Sequence, residues 1–321
     1  MRLLISEFIT GGGFLNETMP VALAREGELI QQQLLYDFAA CSSVDSIQCL
    51  RDPRMSLVEI EHCDCIMVDS DFMAAFSQAA CDVDAVLPVA PETDNALLSM
   101  SEAAESGGAR LLNSKPRAVA ATGSKYHTLK TLAAAGIPTV PVSTIDQAAR
   151  AAPDYWVIKP DNGVGGDGCR ILERLPDVMP ENTILQPLLE GTSASLTLLC
   201  AEGEAALLAV NEQHIELDAN GCVLHGINVN GLRSQMDAMR PLAEAIAATI
   251  PTLWGFVGVD LMLTEDDPLV LEINPRLTTA YAGLHQSCGH NPADWLLNLA
   301  DSGELPDTRK LQAEAVVIQL T

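Results

Sequence analysis

The sequence predicts a chain built in two styles. An N-terminal α/β region covers about residues 1–113, and an α+β region follows as a small antiparallel part (114–190) and a larger part (191–321). Three observations carry this. Over the first hundred residues, short apolar runs alternate with longer helical patterns, as in a parallel sheet covered by helices. Between 155 and 189, short strands and a glycine-rich loop follow one another with no long helix between them. From Gly255 to Arg276, GFVGVDLMLTEDDPLVLEINPR, two apolar runs flank a polar turn at 264–268, which is a hairpin pattern.

The chain opens with an apolar run at 3–6, then Glu7, Thr10 and the triplet Gly11, Gly12, Gly13, then a helical stretch at about 17–40. The triplet lacks the G-x-G-x-x-G spacing of a dinucleotide site. It reads equally as a loop that lets a ligand approach the backbone or as a tight turn. Strands are expected at 64–68 and 84–90, and helices near 71–80 and 93–105, with Thr93 or Asp94 as a cap. Ligands collect at the carboxyl ends of strands in such sheets, which makes Glu7, Thr10, Gly12 and Glu92 candidate substrate residues. A single helix is expected over 118–135, carrying Lys125 and Lys130, with Ser114 as a possible cap and Gly136-Ile137-Pro138 as its stop.

The strand at 155–159 ends at Lys159, and the loop DNGVGGDG follows at 161–168. No Gly-Lys-Ser/Thr closes it and no helix follows, so it is not a Walker loop. Gly163, Gly165, Gly166 and Gly168 let backbone N–H groups fold over phosphate oxygens, with Lys159 and Lys125 as point charges. The plain alternative is a mobile hairpin. Further strands are expected at 169–172, 183–189 and in succession from 192 to 229, and helices at 236–250, 278–286 and 292–300.

In the hairpin, Glu272 and Asn274 are two residues apart and point the same way, with Asp260 roughly opposite. Two carboxylates and an amide oxygen among apolar neighbours suit Mg²⁺, which keeps waters and takes phosphate oxygens. The plainer reading is a surface hairpin with ordinary acids, but buried-looking strands rarely carry an unpaired Asp and Glu. Arg276, one strand step further, has the fork that suits phosphate or carboxylate. His285 and His290 follow closely; Tyr281 and Trp295 read as core, and Arg233 as a carboxylate binder or a solvated charge.

Composition narrows the partners. The 321 residues hold 18 Lys and Arg against 43 Asp and Glu, a net charge of −25, which argues against nucleic acid and anionic membranes. Any phosphate ligand must then be held by a few placed cations and a metal ion. Hydrophobic residues at 48% describe a globular chain. The nine Cys are scattered, and Cys63 with Cys65 is not a usual zinc spacing, so reduced thiols in a cytoplasm are expected. The N-terminus MRLLISEF lacks a signal-peptide pattern, and no window approaches the ~18 apolar residues of a membrane span. A soluble, cytoplasmic protein is expected.

The stretches TGSKYHTLKTLAAAGIPTVP, WVIKPDNGVGGDG, LQPLLEG and GVDLML…VLEINPR, in that order and spacing, resemble the ATP-grasp superfamily of carboxylate–amine ligases over nearly the whole chain. The resemblance implies an ATP-grasp fold with an N-terminal parallel α/β (pre-ATP-grasp) domain at 1–113, a lid at 114–190 and a C-terminal α+β domain at 191–321, with ATP and Mg²⁺ or Mn²⁺ gripped between the last two. By the same resemblance Lys125 and Lys159 match phosphate lysines, and 163–168 the flexible loop. Gln186 and Leu189 match the hinge that meets adenine. Asp260, Glu272 and Asn274 match the metal ligands, and Arg276 a residue beside the transferred phosphate; Arg276 and Lys159 are the catalytic candidates. Members usually carry an acid where Gln186 stands and another near Ser193 for the ribose; here the nearest acid is Glu190.

The implied chemistry is activation of a carboxylate as an acyl phosphate, with release of ADP, then attack by an amine to form an amide. The amine's proton goes to a carboxylate such as Glu7 or to solvent. The same scaffold hosts dipeptide ligases of the D-alanine type and small-molecule kinases. A non-catalytic nucleotide-binding module fits less well, because both lysines and all three metal ligands are present. The stretches SEFITGGGF and APETDN and the chain length look most like the tyramine–L-glutamate ligases of methanofuran synthesis. Small carboxylate and amine substrates are the expected partners, and the oligomeric state is left open, a homodimer included.

Overall fold

In the computed structural model, which describes residues 1–143, 145–148, 155–163, 165–166, 168–219, 221–311 and 313–320, strand β1 (Arg2–Glu7) sends Leu3 and Ile5 to one buried face and Leu4 to the other. That two-sided burial is what a parallel sheet with helices on both faces requires. Helix α1 (Val21–Ala39), β2 (Ser46–Arg51), β3 (Cys63–Met67), α2 (Phe72–Cys81), β4 (Ala85–Val89), α3 (Ala96–Ser106) and β5 (Arg110–Leu111) complete this region. The sheet is parallel in the order β3-β2-β1-β4-β5. Strand order reverses at β1, so the carboxyl ends of β1 and β4, where Glu7 pairs with Val89, flank a crevice.

Two local expectations are corrected here, and one unannounced strand is added. The glycine triplet is neither an open loop nor a simple turn but part of a π-helical turn, Ile9–Gly13, with Gly12 at φ 113°. The carboxylate of Glu7 organises it by accepting from Ile9 N (3.0 Å), Thr10 N (2.7 Å) and Thr10 Oγ1 (2.7 Å). Neither Thr93 nor Asp94 caps α3; Thr93–Asn95 is a 3-10 turn with Asp94 and Asn95 in the left-handed region. Strand β2 lies in a stretch whose polar Gln48 and Arg51 hid it. Buried Arg51 is satisfied across the fold by Glu28 (2.7 Å) and Gln31 (3.0 Å) on α1.

The helix expected over 118–135 is two helices, α4 (Pro116–Thr122) and α5 (Lys125–Ala134). Ser124 breaks it, accepting from His127 N through its hydroxyl (3.2 Å) as the cap of a new helix. Ser114 caps nothing; its hydroxyl donates to Trp254 O (2.9 Å). After the short α6 (Ile145–Ala148) come β6 (Trp156–Pro160), β7 (Arg170–Leu172) and β8 (Thr183–Pro187), an antiparallel sheet in the order β7-β6-β8. Among the described residues its own buried core is small: Ala148, Trp156, Ile158 and Leu185.

The rest is β9 (Thr192–Ala201), β10 (Glu204–Leu217), β11 (Cys222–Val229), α7 (Met236–Thr249), β12 (Gly255–Leu263), β13 (Pro268–Asn274), α8 (Tyr281–Cys288), α9 (Pro292–Ser302) and β14 (Val316–Gln319). The strands form an antiparallel sheet in the order β13-β12-β9-β10-β11-β14. The edge strand β14 was not announced by the sequence, and α8 starts at Tyr281 rather than 278. One face of this sheet buries Leu196 and Leu198 with Met239, Ala243 and Ile246 of α7 and Leu129 and Leu132 of α5. The other face buries Leu199 and Phe256 with Tyr281, Leu284 and Leu296, and this core runs on without a break to Leu3, Leu34 and Phe38. Each such side chain stabilises by about 1.5–3 kcal/mol on burial. Among the described residues, no helix is long and apolar enough to cross a membrane.

Candidate active site

The hairpin places its acids as strand alternation requires. Asp260 of β12 is paired with Glu272 of β13, and Asn274 lies two pairs along, opposite Gly258. The register slips between Asp260 and Leu261, a bulge of the kind that re-aims side chains beside functional sites. Asn274 Nδ2 donates to Asp260 Oδ2 (3.0 Å), and Gln213 Nε2 of β10 donates to Asp260 Oδ1 (2.9 Å).

Lys125 meets this pair from the start of α5, with Nζ 2.9 Å from Glu272 Oε2. Asp161 fixes that approach: its carbonyl accepts from Lys125 N (3.0 Å) and its carboxylate from Tyr126 N (2.7 Å). The first turn of α5 is thereby tied to the end of β6, so Lys125 and Lys159 converge on one place. Lys125 also donates to Gly163 O (2.5 Å).

Charge in this cluster is unevenly shared. Burial and the facing Glu272 push Asp260 up to about 7. Burial pushes Glu272 the same way, but the charges of Lys125 and Lys159 outweigh it and hold that carboxyl down at about 2. Burial lowers Lys159 against the pull of Glu272. For Lys125, burial is outweighed by Glu272, and the ammonium is held above its ordinary value.

A cavity of about 300 Å³ joins these groups. Lys125, Lys159, Asp260, Glu272, Asn274 and Arg276 line its polar end. Gln186, Leu189 and Ser193 line another part, with Val157, Met262 and Leu271 between them as apolar surface. Gly163, Gly165 and Gly166 form part of the roof, while Val164 and Asp167 fall outside the described residues. Gly165, Gly166 and Gly168 have φ of 64°, 76° and 70°, where a side chain would be strained. At Gly165 a Cβ would also press on Leu23 of α1, so the loop reaches as far as the N-terminal region.

Several residues singled out from the sequence lie elsewhere or are engaged. Thr10 is buried, with its hydroxyl on Glu7 Oε2 (2.7 Å) and Gln31 Oε1 (2.5 Å); it and Gly12 stand behind the cavity wall. Glu190 is exposed and outside the cavity. Glu7 reaches the wall, but its oxygens serve the turn. Glu92 takes Arg276 in a two-pronged ion pair, Nε to Oε1 and Nη2 to Oε2, both 3.0 Å. Burial works against the Arg276 charge, yet Glu92 holds its pKa above the ordinary value.

Tyr281 and Trp295 are core residues, His290 stacks on Trp295, and His285 Nδ1 pairs with Asp37 of α1 (2.5 Å). Arg233 is exposed and donates to the carbonyl of Ala313. Sequence reasoning missed Gln213, Glu26 and Thr279, all in the cavity wall. A signal existed for Glu26, a lone acid in the row Leu23, Glu26, Gly27, Ile30 at helical spacing.

The donor set can be tested against a divalent cation. Among the described residues no group of three or more His, Cys, Asp or Glu side chains is arranged to hold a metal ion, so a cation here has two carboxylates and an amide. Its shell must be completed by water and phosphate oxygens, the habit of Mg²⁺. The pair fits the ion also in charge, since a cation offsets the burial and the facing Glu272 charge that push Asp260 up.

The model of the ATP-grasp domain matches residues 122–280, and that of the pre ATP-grasp 3 domain matches 46–119. The chain belongs to the ATP-grasp superfamily. Tyramine–L-glutamate ligase of Methanocaldococcus fervens is 27% identical over 315 residues, 94% of this chain and 95% of that one. A solved ATP-grasp superfamily protein from Archaeoglobus fulgidus superposes with a TM-score of 0.74 at 24% identity, covering 99% of this chain and 92% of that one. Biotin carboxylase of Campylobacter jejuni, solved with a β,γ-ATP ligand, gives 0.72 at 14% identity, covering 98% and 74%. ATP with Mg²⁺ or Mn²⁺ is the cofactor set of the ATP-grasp fold, and the lysines and the two-carboxylate face suit it.

Proposed function

We propose that this chain is an ATP-dependent ligase that joins a small-molecule carboxylate to an amine, with L-glutamate and tyramine as the pair. The observation that carries the reading is one cavity with two kinds of wall. Lysines, the hairpin carboxylates and Arg276 form one end, and the crevice of the N-terminal sheet, with Glu7, Ile9, Val89 and Pro91, forms another. A nucleotide at the first end leaves its terminal phosphate facing space in which two further substrates meet.

In this reading Gln186 and the Leu189 backbone receive adenine, while Lys125, Lys159 and the loop 163–168 hold the phosphates. Residues 1–113 serve the substrates, 114–190 act as lid, and 191–321 carry the metal site. A divalent ion on Asp260, Glu272 and Asn274 supplies positive charge to the phosphate oxygens. A carboxylate oxygen attacks the γ-phosphorus, ADP leaves, and an acyl phosphate forms. The amine nitrogen then attacks the acyl carbon, phosphate departs with the electrons of the C–O bond, and the nitrogen gives up a proton. Lys159, desolvated and close to Glu272, and Arg276, fixed by Glu92, are aligned before the reaction. That preorganisation is where such sites gain most of their rate.

The test is incubation with Mg²⁺, ATP, tyramine and L-glutamate, and in parallel with panels of amines and acids, read by mass spectrometry. Amide, ADP and phosphate in equal amounts are expected. A phosphorylated acid as the stable product would make the chain a kinase. ADP-coupled amide formation only with another pair would overturn the substrate assignment and keep the ligase.

A further inference from the structure

We propose that Glu26 anchors the ammonium group of the amine substrate, and that this substrate is a primary amine on an apolar body with no carboxylate of its own. The proposal rests on the ligase reading for what happens to the amine, though not for its binding.

The site is built by helix spacing. Leu23, Glu26, Gly27 and Ile30 recur at the intervals that put side chains on one helix face, and all four line the cavity. Glycine at 27 leaves room for the Glu7 carboxylate, which a Cβ there would strike. The two acids at this wall then differ in what they have left to offer. Glu7 already accepts two backbone N–H groups and a hydroxyl. Glu26 is half-buried and accepts one hydrogen bond among the described residues, from Thr279 Oγ1 to Oε2 at 2.8 Å. Among those residues no Lys, Arg or His forms an ion pair with it.

Arg276, three residues before Thr279, is the cation whose charge reaches Glu26, and its guanidinium is committed to Glu92. A carboxylate withdrawn from water without its own counter-ion is costly, and burial raises the pKa of Glu26 accordingly. An incoming ammonium offsets that cost. Thr279 also places Glu26 on the segment that carries Arg276, so an amine held there stands on the side where the acyl group is made.

The surroundings define the rest of the molecule. Ile9, Leu23, Ile30, Leu224 and Ile227 give this end aliphatic walls. Among the described residues the cations of the cavity wall are Lys125, Lys159 and Arg276, all at the metal end and all facing acids. An amino acid used as the amine would bring a second carboxylate toward Glu26 and Glu7, where none of the described residues offers a free cation to receive it. Like-charge placement of that kind selects by repulsion.

Calorimetry with tyramine, L-tyrosine and 4-ethylphenol as probes separates these features, since tyrosine adds a carboxylate and 4-ethylphenol lacks the ammonium. Wild type is expected to bind tyramine roughly tenfold or more tighter than either, the worth of one charge-assisted hydrogen bond. Glu26→Gln should weaken tyramine by roughly 10- to 100-fold and leave 4-ethylphenol unchanged. Structural damage would weaken both alike and overturn the proposal, as would a wild type that does not prefer tyramine. Should E26Q fail to fold, Glu26→Asp keeps the charge one methylene further away and is expected to lose tyramine affinity selectively; equal loss for 4-ethylphenol overturns the anchor. Amide assays separate the two readings. Tyramine held through Glu26 with no amide from any acid sinks the ligase and leaves the anchor. Amide formed by E26Q with an unchanged amine KM sinks the anchor and leaves the ligase.

Discussion

Replacing Glu92 by Gln should destabilise the nucleotide-free protein by about 3 kcal/mol, because it strands a buried guanidinium. Arg276 and Glu92 meet through two 3.0 Å contacts, with only 10% and 9% of their side chains exposed. Breaking such a pair from one side costs about 3–5 kcal/mol. The lower end applies, since Asp260 and Glu272 also stabilise the Arg276 charge. At ~2.1 cal/mol/K of unfolding entropy per residue, 321 residues give about 0.7 kcal/mol/K, so the melting temperature should fall by about 4 °C. Arg276→Met should cost a similar amount by stranding Glu92. The double variant E92Q/R276M leaves neither charge buried alone and should lie within about 1–2 kcal/mol of wild type. Urea unfolding of all four proteins closes the cycle. Losses that add to within ~0.5 kcal/mol would refute the pair as a coupled unit.

Glu272→Gln removes a proposed metal ligand and the partner of Lys125 together, and ATP turnover should drop at least ~10²-fold with the fold retained. ADP release beside a melting curve checks it, and wild-type turnover would exclude the metal role. The loop 163–168 should exchange its amide hydrogens faster without Mg²⁺–ATP than with it, since its glycines carry large backbone entropy that phosphate contacts must overcome; equal protection in both states would count against a phosphate role. Arg54 holds Asp52 below the ordinary carboxyl value of 3.8. A carboxylate lowered in the folded state contributes stability that is complete above 3.8 and lost as pH falls through the lowered value. Wild type and Asp52→Asn should therefore differ in thermal stability at neutral pH and converge on acidification, and a constant gap down to the acid limit would refute this.

How much was legible depended on the range of the interaction. Asp260, Glu272 and Asn274 were readable because a two-residue period and one turn determine which side chains share a face. Lys159 and the glycine loop were readable because they are adjacent in the chain. Glu92 with Arg276 and Glu26 with Thr279 were not, for these partners are 184 and 253 residues apart and meet only through tertiary packing. Strand β2 escaped because its Arg51 looks like a surface residue until Glu28 and Gln31 are brought beside it. The break before Lys125 escaped because alanine-rich flanks favour one long helix, while a single serine cap decides where the second begins. The glycine triplet was misread since glycine permits many turns, and the carboxylate of Glu7, four residues before Gly11, chose among them.

The unbroken core from Leu3 to Ala300 bears on how the molecule can be cut and recombined. Helix α1 belongs by sequence to the N-terminal sheet, but Leu34 and Phe38 share their burial with Tyr281 and Leu296, and Asp37 bonds His285. A fragment ending at residue 113 would present that apolar surface to water and aggregate, and one starting at 191 would lose the opposite half of the same contact. The small sheet β7-β6-β8 has a separate core, which among the described residues holds Ala148, Trp156, Ile158 and Leu185. It is therefore the part to exchange between relatives, with Leu129 and Leu132 of α5 and Ile184 of β8 kept matched to the larger sheet's core that they enter, and with no junction at the seam between the two larger sheets.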